Sequence, residues 1–274
     1  MLQARAWLPR TEGLVRLSFV RADGATRLST LRQKGAARVR FPRPAEAHGI
    51  PEAVLLNTAG GLTGGDRMSA EVALGPECEA TITSAAAEKV YRSLGDTTEI
   101  AIQLELGDRA RCHWLPQPTI LFDGSRLQRR THVDLAPSAT LLAVEMVIYG
   151  RTAMGEDVRR GSIHDAWRVR RDGRLAFADA ARVNGAVADA LDRGATLDGM
   201  RAVAMLLYVS PDAPARLDEV RALLDGAAST AGASSWNGML LVRAAAKEGR
   251  TLQRDLQPVL VALGGRPLPR VWQC

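Results

Sequence analysis

The sequence predicts a mainly β fold in one continuous domain, residues 1–274, with its helices gathered in the last third. Three observations carry this reading. Apolar and polar residues alternate through several stretches, as strands with one wet face require. Asp-Gly pairs recur at 23–24, 123–124, 172–173 and 198–199, and Asp-Gly tolerates the positive φ of tight turns. Helical spacing appears only late.

In chain order, residues 15–19 form the first arm of a hairpin that turns at Asp23-Gly24. Ile100, Ile102, Leu104 and Leu106 alternate with Ala101, Gln103 and Glu105. Leu127, Val133 and Leu135 share one parity, and Gln128, Arg130, His132 and Asp134 the other. Residues 141–148 are apolar except for Glu145, whose charge must face water, meet a cation or serve function. Residues 169–177 make a second hairpin around Asp172-Gly173. A short helix is expected near 182–191. A clearer one spans 216–228, where Leu217, Val220, Leu223 and Leu224 fall on one face. A third starts near 252 and meets Pro258. No linker, low-complexity tract or repeat is evident.

Composition narrows the function classes. A 46% hydrophobic fraction supports a core and argues against disorder. The formal charge is +6, nearly all from arginine, since lysine occurs only at 34, 89 and 247. The arginines are interleaved with acids, whereas a nucleic-acid binder more often carries a dense stripe. A basic β-rich nucleic-acid-binding module remains the alternative reading. Three cysteines at 78, 112 and 274 have no motif spacing, which fits free thiols in a reducing compartment. The first residues lack a signal-peptide layout, and no apolar run approaches the ~18 residues that span a bilayer. A cytoplasmic protein with no membrane contact is expected.

Residues 55–67, Leu-Leu-Asn-Thr-Ala-Gly-Gly-Leu-Thr-Gly-Gly-Asp-Arg, raise the question of a phosphate loop. Gly60 and Gly65 have the Walker spacing, but Asp66 stands where a lysine belongs and would repel a phosphate. No two glycines here are two residues apart, so the dinucleotide pattern fails as well. What remains is a sharp bend of close backbone approach, built on Gly60, Gly61, Gly64 and Gly65, with Asp66 at its tip. There is no Gly-x-Ser-x-Gly elbow. Cys112 and His113 are strand neighbours pointing to opposite faces and cannot form a dyad. His48, His113, His132 and His164 form no metal clip. No catalytic set emerges.

Five blocks in order resemble the UreD (UreH) family of urease accessory proteins. They are residues 57–66, then 83–93 (Thr-Ser-Ala-Ala-Ala-Glu-Lys-Val-Tyr-Arg-Ser), 114–122 (Trp-Leu-Pro-Gln-Pro-Thr-Ile-Leu-Phe), 150–156 (Gly-Arg-Thr-Ala-Met-Gly-Glu) and 268–272 (Leu-Pro-Arg-Val-Trp). The resemblance implies a helically wound, β-helix-like stack of sheets with about two α-helices in the C-terminal part. It also implies a nickel-delivery scaffold rather than an enzyme. Such a scaffold docks on apo-urease and binds UreF, which recruits the GTPase UreG. Nickel would cross an internal passage, so no tightly bound cofactor is expected, only transient Ni²⁺.

Site expectations follow. Asp66 either lines the passage or caps its own turn by accepting backbone N–H bonds. Asp179 is the second transit candidate. Arg151, Met154 and Glu156 offer a mixed charged and soft-apolar surface suited to a partner, or else a core turn. Trp272 either tethers the tail to the body or docks a partner. Exposed interface predicts poor solubility without UreF.

Overall fold

The computed structural model describes residues 10–42, 50–151 and 154–273. His48, Thr152, Ala153, Cys274 and the N-terminal segment read above lie outside the described residues.

The described chain begins with the hairpin β1 (Glu12–Ala22) and β2 (Ala25–Gly35), followed by β3 (Ala37–Arg40). Four coils come next. The first gives β4 (Glu52–Asn57) and β5 (Arg67–Leu74); the second gives β6 (Glu79–Ser84), β7 (Glu88–Val90) and β8 (Thr98–Leu106). The third gives β9 (Arg111–Leu115), β10 (Thr119–Leu121) and β11 (Arg126–Leu135), and the fourth gives β12 (Thr140–Tyr149) and β13 (Arg160–Arg171). Then follow β14 (Arg174–Ala186), α1 (Val187–Asp192), β15 (Ala202–Val209), α2 (Leu217–Leu224), β16 (Thr230–Trp236), β17 (Met239–Ala246) and α3 (Gly249–Gly264).

Successive coils stack in parallel. β5, β8, β11 and β13 are neighbours in a 7-stranded sheet ordered β14-β13-β11-β8-β5-β1-β2. β4, β6, β9 and β12 are neighbours in a 10-stranded sheet ordered β16-β17-β15-β12-β9-β6-β4-β3, with β7 and β10 beside it. A third, short row joins Leu62, Val90, Leu121 and Tyr149, each paired in parallel with the next. All four are buried. These ladder residues recur at roughly thirty-residue intervals, the period of a solenoid. The repeat escapes the sequence because it is a repeat of position rather than of residue type: the same slot holds Leu, Val, Leu and Tyr. Antiparallel strands close both ends, with β2 and β3 on one side and β14, β15, β16 and β17 on the other.

The alternating segments belong to the first sheet. Phe19, Leu74, Leu106 and Leu135 form one inward column, and Leu17, Val72, Leu104, Val133 and Val169 form the next. All are buried, each contributing about 1.5–3 kcal/mol. The second sheet is covered on both faces, which accounts for the apolar run in β12. Leu141 and Ala143 face the inter-sheet core, while Leu142, Val144 and Met146 face a second core under α3.

The two expected hairpins form at Asp23-Gly24 and Asp172-Gly173, with every one of these residues at positive φ. The Asp123-Gly124 pair turns a coil corner instead, between β10 and β11. Among the described residues there are three α-helices, and α2 and α3 form the expected C-terminal pair. The segment 182–191 is strand as far as Ala186 and helix only from Val187. The 216–228 helix is a 3-10 turn, Ala213–Arg216, followed by α2. α3 runs through Pro258 and ends at Gly265 in the left-handed region, whose N–H bonds the Val261 carbonyl. An interior proline costs about 3 kcal/mol. Burial of Leu252, Leu256, Val259, Leu260 and Leu263 against the second sheet outweighs it.

Candidate functional site

A cavity of about 540 Å³ lies inside the coils, between the two sheets and the third row. Its apolar walls come from Val15, Met68, Ile100, Ile102, Leu55 and Trp114. Charge enters at Arg38, Glu88, Lys89, Arg129 and Glu145. Gly60, Ala85, Ala86 and Lys89 line it and are exposed, so the mouth opens beside the glycine bend.

The polar wall is built by strand register. Met68, Ile100, Arg129 and Asp165 occupy one inward column across β5, β8, β11 and β13. A guanidinium therefore sits where the neighbouring coils carry apolar side chains. Arg129 Nε and Nη2 donate to the Asp165 carboxylate at 3.1 and 2.5 Å. Its Nη1 lies 2.5 Å from Glu145 Oε1 and donates to Thr119 Oγ1 at 2.8 Å. The Trp167 indole N–H donates to the other Glu145 oxygen. Arg129, Glu145 and Asp165 are all buried. Burial pushes the Glu145 carboxyl up to about 8, against the pull of Arg129. Burial opposes the Arg129 charge too, but the two carboxylates hold it on.

Glu88 is the second acid in the wall. Asn57 Nδ2 donates to both its oxygens, at 3.1 and 3.2 Å. Burial raises its carboxyl above the ordinary range, with the Asn57 amide and Lys89 acting the other way. Two separated carboxylates in a wall that also carries Arg38, Lys89 and Arg129 can bind a divalent ion only weakly. Among the described residues, no three His, Cys, Asp or Glu are placed to hold a metal.

Of the glycines, Gly60 and Gly61 form part of the cavity wall, and Gly64 and Gly65 turn the chain toward β5. A Cβ on Gly61 would stand 2.4 Å from the Tyr91 ring, and one on Gly64 2.4 Å from the Asp96 carbonyl oxygen. The bend thus packs against the next coil. Asp66 is buried and accepts from the backbone N–H groups of Thr11 and Thr63, both at 2.7 Å. It is not among the cavity's lining residues. Neither is Asp179, whose carboxylate takes a 2.8 Å ion pair from Arg243. The geometry therefore does not bring Asp66 and Asp179 together at the cavity.

Arg151 bonds Glu156 at 2.5 Å and stacks 4.7 Å over the Phe122 ring. Phe122 meets Tyr91 edge-on at 4.7 Å, and the Tyr91 hydroxyl donates to the Gly60 carbonyl at 3.3 Å. Met154, beside them in sequence, is 75% exposed and Leu94 is 81% exposed. Trp272 is buried within the chain, its indole N–H donating to the Leu115 carbonyl at 3.0 Å.

The sequence singles out Glu145 but not Arg129 or Asp165. A signal existed: both lie on the buried parity of their strands, Arg129 with Leu127 and Val133, Asp165 with Trp167 and Val169. Cys112 and His113 are both buried. Burial pushes the His113 imidazole down to about 3, and Arg266 beside it adds to the effect.

A family model described as "UreD urease accessory protein" matches residues 11–273. The chain belongs to the UreD family. A "Urease accessory protein UreD" of Xanthobacter autotrophicus is 49% identical over 268 residues, 98% of this chain and 92% of that protein. One from Methylobacterium sp. (strain 4-46) is 50% identical over 227 residues, 81% of this chain and 80% of that protein. A "Urease accessory protein UreD 2" of Methylorubrum populi is 46% identical over 270 residues, covering 96% and 91%. The UreD resemblance blocks now acquire positions. Residues 57–66, 83–93, 114–122 and 150–156 occur one to a coil, and each reaches the corner that follows the third row. Among the described residues, no helix is long and apolar enough to cross a membrane.

Proposed function

We propose that the chain serves urease maturation as a scaffold. It holds apo-urease and UreF, with UreG joined through UreF, and passes Ni²⁺ through the cavity inside its coils. The observation that carries the reading is the cavity's wall, where the carboxylates of Glu88 and Glu145 are set among apolar side chains as separate oxygen ligands. Weak, scattered oxygen ligands let a cation move on, whereas a Cys/His cage would keep it. Arg129 limits the negative charge and so the dwell time. Asp66 joins the route only if the Thr11 and Thr63 amides release it, which makes it a lesser candidate than the cavity acids. Asp179 would first have to leave Arg243.

Arg151, Glu156 and the exposed Met154 form a pinned corner suited to UreF. Trp272 would contribute to that partner indirectly, by fixing the tail. The proposed setting is the cytoplasm, and no chemistry on a substrate is assigned to the chain. The test is urease activation at limiting nickel with the wild type and with Glu88→Ala and Glu145→Gln. Activation should fall in both variants while their complexes with UreF persist. Full activation by folded variants would exclude the cavity as the route.

A further inference from the structure

We propose that the outward face of β11, β13 and β14 is a docking surface for an acidic face of apo-urease. The inference rests on the maturation reading above and assigns one of its partners to one place on the fold.

The first sheet has an open face, and its charge divides along the stack. Over β1, β5 and β8 the cations are paired within the chain: Arg16 with Glu71 at 2.5 Å, and Arg67 with Glu99 at 3.5 Å. Over β11, β13 and β14 they are not. Register places Arg126, Arg130, Arg160, Arg168, Arg170 and Arg182 at outward positions. Asp134, opposite Arg170, is the single carboxylate sharing those positions. Arg126 and Arg168 give hydrogen bonds to backbone carbonyls of Gly95, Trp167 and Asp179. Among the described residues, Arg130, Arg160 and Arg182 are exposed and make no ion pair within the chain. His132 and His164 share the face.

The floor between the arginines is low. Ala166, Ala178 and Ala180 occupy neighbouring outward positions on β13 and β14. Strands spaced about 4.8 Å apart, with like-facing residues about 6.6–6.8 Å along each, present the guanidinium groups as a flat grid. Carboxylates on a folded surface can meet such a grid two oxygens at a time. Nucleic acid fits less well. The outward positions of these strands carry no aromatic ring on which a base could stack. The helices α2 and α3 pack on the other sheet, and α1 on the third-row core, so none stands on this face to enter a groove.

Among the proposed partners, apo-urease is the one that must leave once loaded. Charge-dominated contacts give fast association and ready release, whereas apolar contacts suit a partner that stays. The face is charged, with Leu175 on β14 its exposed large apolar side chain, and the more exposed Leu94 and Met154 lie elsewhere, on the corner loops.

The experiment uses the full chain co-purified with UreF and measures capture of purified apo-urease across a salt series. The triple variant Arg130→Glu, Arg160→Glu, Arg182→Glu should weaken capture by at least about tenfold, and wild-type capture should fall steeply with salt. The corresponding triple lysine variant should keep most of it, and both variants should hold UreF as the wild type does. A thermal melt establishes that each variant is folded, and Arg130→Glu alone serves if the triple variant is not. Wild-type-strength capture by the folded charge-reversed protein would overturn the assignment. So would salt-independent capture, or duplex or single-stranded DNA binding that the reversal abolishes while apo-urease capture persists. If the wild-type chain itself fails to raise urease activation, the maturation reading falls first. If it activates and captures but the variant matches it, only the face is wrong.

Discussion

Arg129 Nη1 lies 2.5 Å from Glu145 Oε1, and both residues are buried between the sheets. The same guanidinium holds Asp165 through two further nitrogens. One cation therefore serves two carboxylates contributed by different sheets, and ties the third coil to the fourth across the core.

Arg129→Met should be strongly destabilising, because it strands Glu145 and Asp165 without their cation. Breaking a buried pair from one side costs about 3–5 kcal/mol. A drop of several degrees or more in thermal midpoint is expected, and a loss no greater than that of a surface arginine would contradict it.

The Glu145 carboxyl is raised in the folded state to about 8, so the folded protein holds a proton that the unfolded chain has released. Its stabilising contribution is present below the ordinary carboxylate range and is lost as pH climbs through the folded value. Denaturant midpoints should therefore decline between about pH 5 and about pH 8. Glu145→Gln, which cannot titrate, should flatten that decline.

Asp66→Ala should orphan two part-buried backbone amides, those of Thr11 and Thr63. Each costs about 1–3 kcal/mol when left unpaired. Asp66→Asn keeps one acceptor and should lose less. Urea denaturation ranks the three proteins, and equal stability across them would remove the capping role.

Gly64→Ala and Gly60→Ala should separate two roles within one bend. At Gly64 the new methyl meets Ser93 and the Asp96 carbonyl within 2.4 Å, and overpacking of that kind costs about 1–3 kcal/mol. At Gly60, with φ of 77° and open space around it, the cost is conformational, about 1–2 kcal/mol. Gly64→Ala should also disturb the Ser93–Asp96 loop, visible as faster amide exchange there, and Gly60→Ala should not.

Trp272→Ala removes a buried indole and its bond to Leu115. A loss of about 3–5 kcal/mol is expected, with earlier proteolysis of the tail than of the coils.

Much of the fold is written locally. The alternation at 100–106 and 127–135 is visible because one face of the first sheet is wet. The Asp-Gly hairpins declare themselves through φ. The winding does not, since parallel stacking is a non-local pairing, and the ladder slot accepts Leu, Val or Tyr alike. Pro258 misled in a related way: a local breaker is overruled by a helix face buried elsewhere in the chain. At the site, Glu145 stands out because it interrupts an apolar run. Arg129 hides among other arginines, and only its parity betrays it. The mouth of the cavity is assembled from residues 57–61 and 84–89, whose proximity no spacing rule provides.

The strands that bracket the coils run against the grain of the stack. A parallel row could in principle accept another turn at either edge, as fibres do, but β2 and β14 present reversed neighbours there. Growth by duplication of a coil is thereby blocked at both ends, and so is end-to-end polymerisation in the same register.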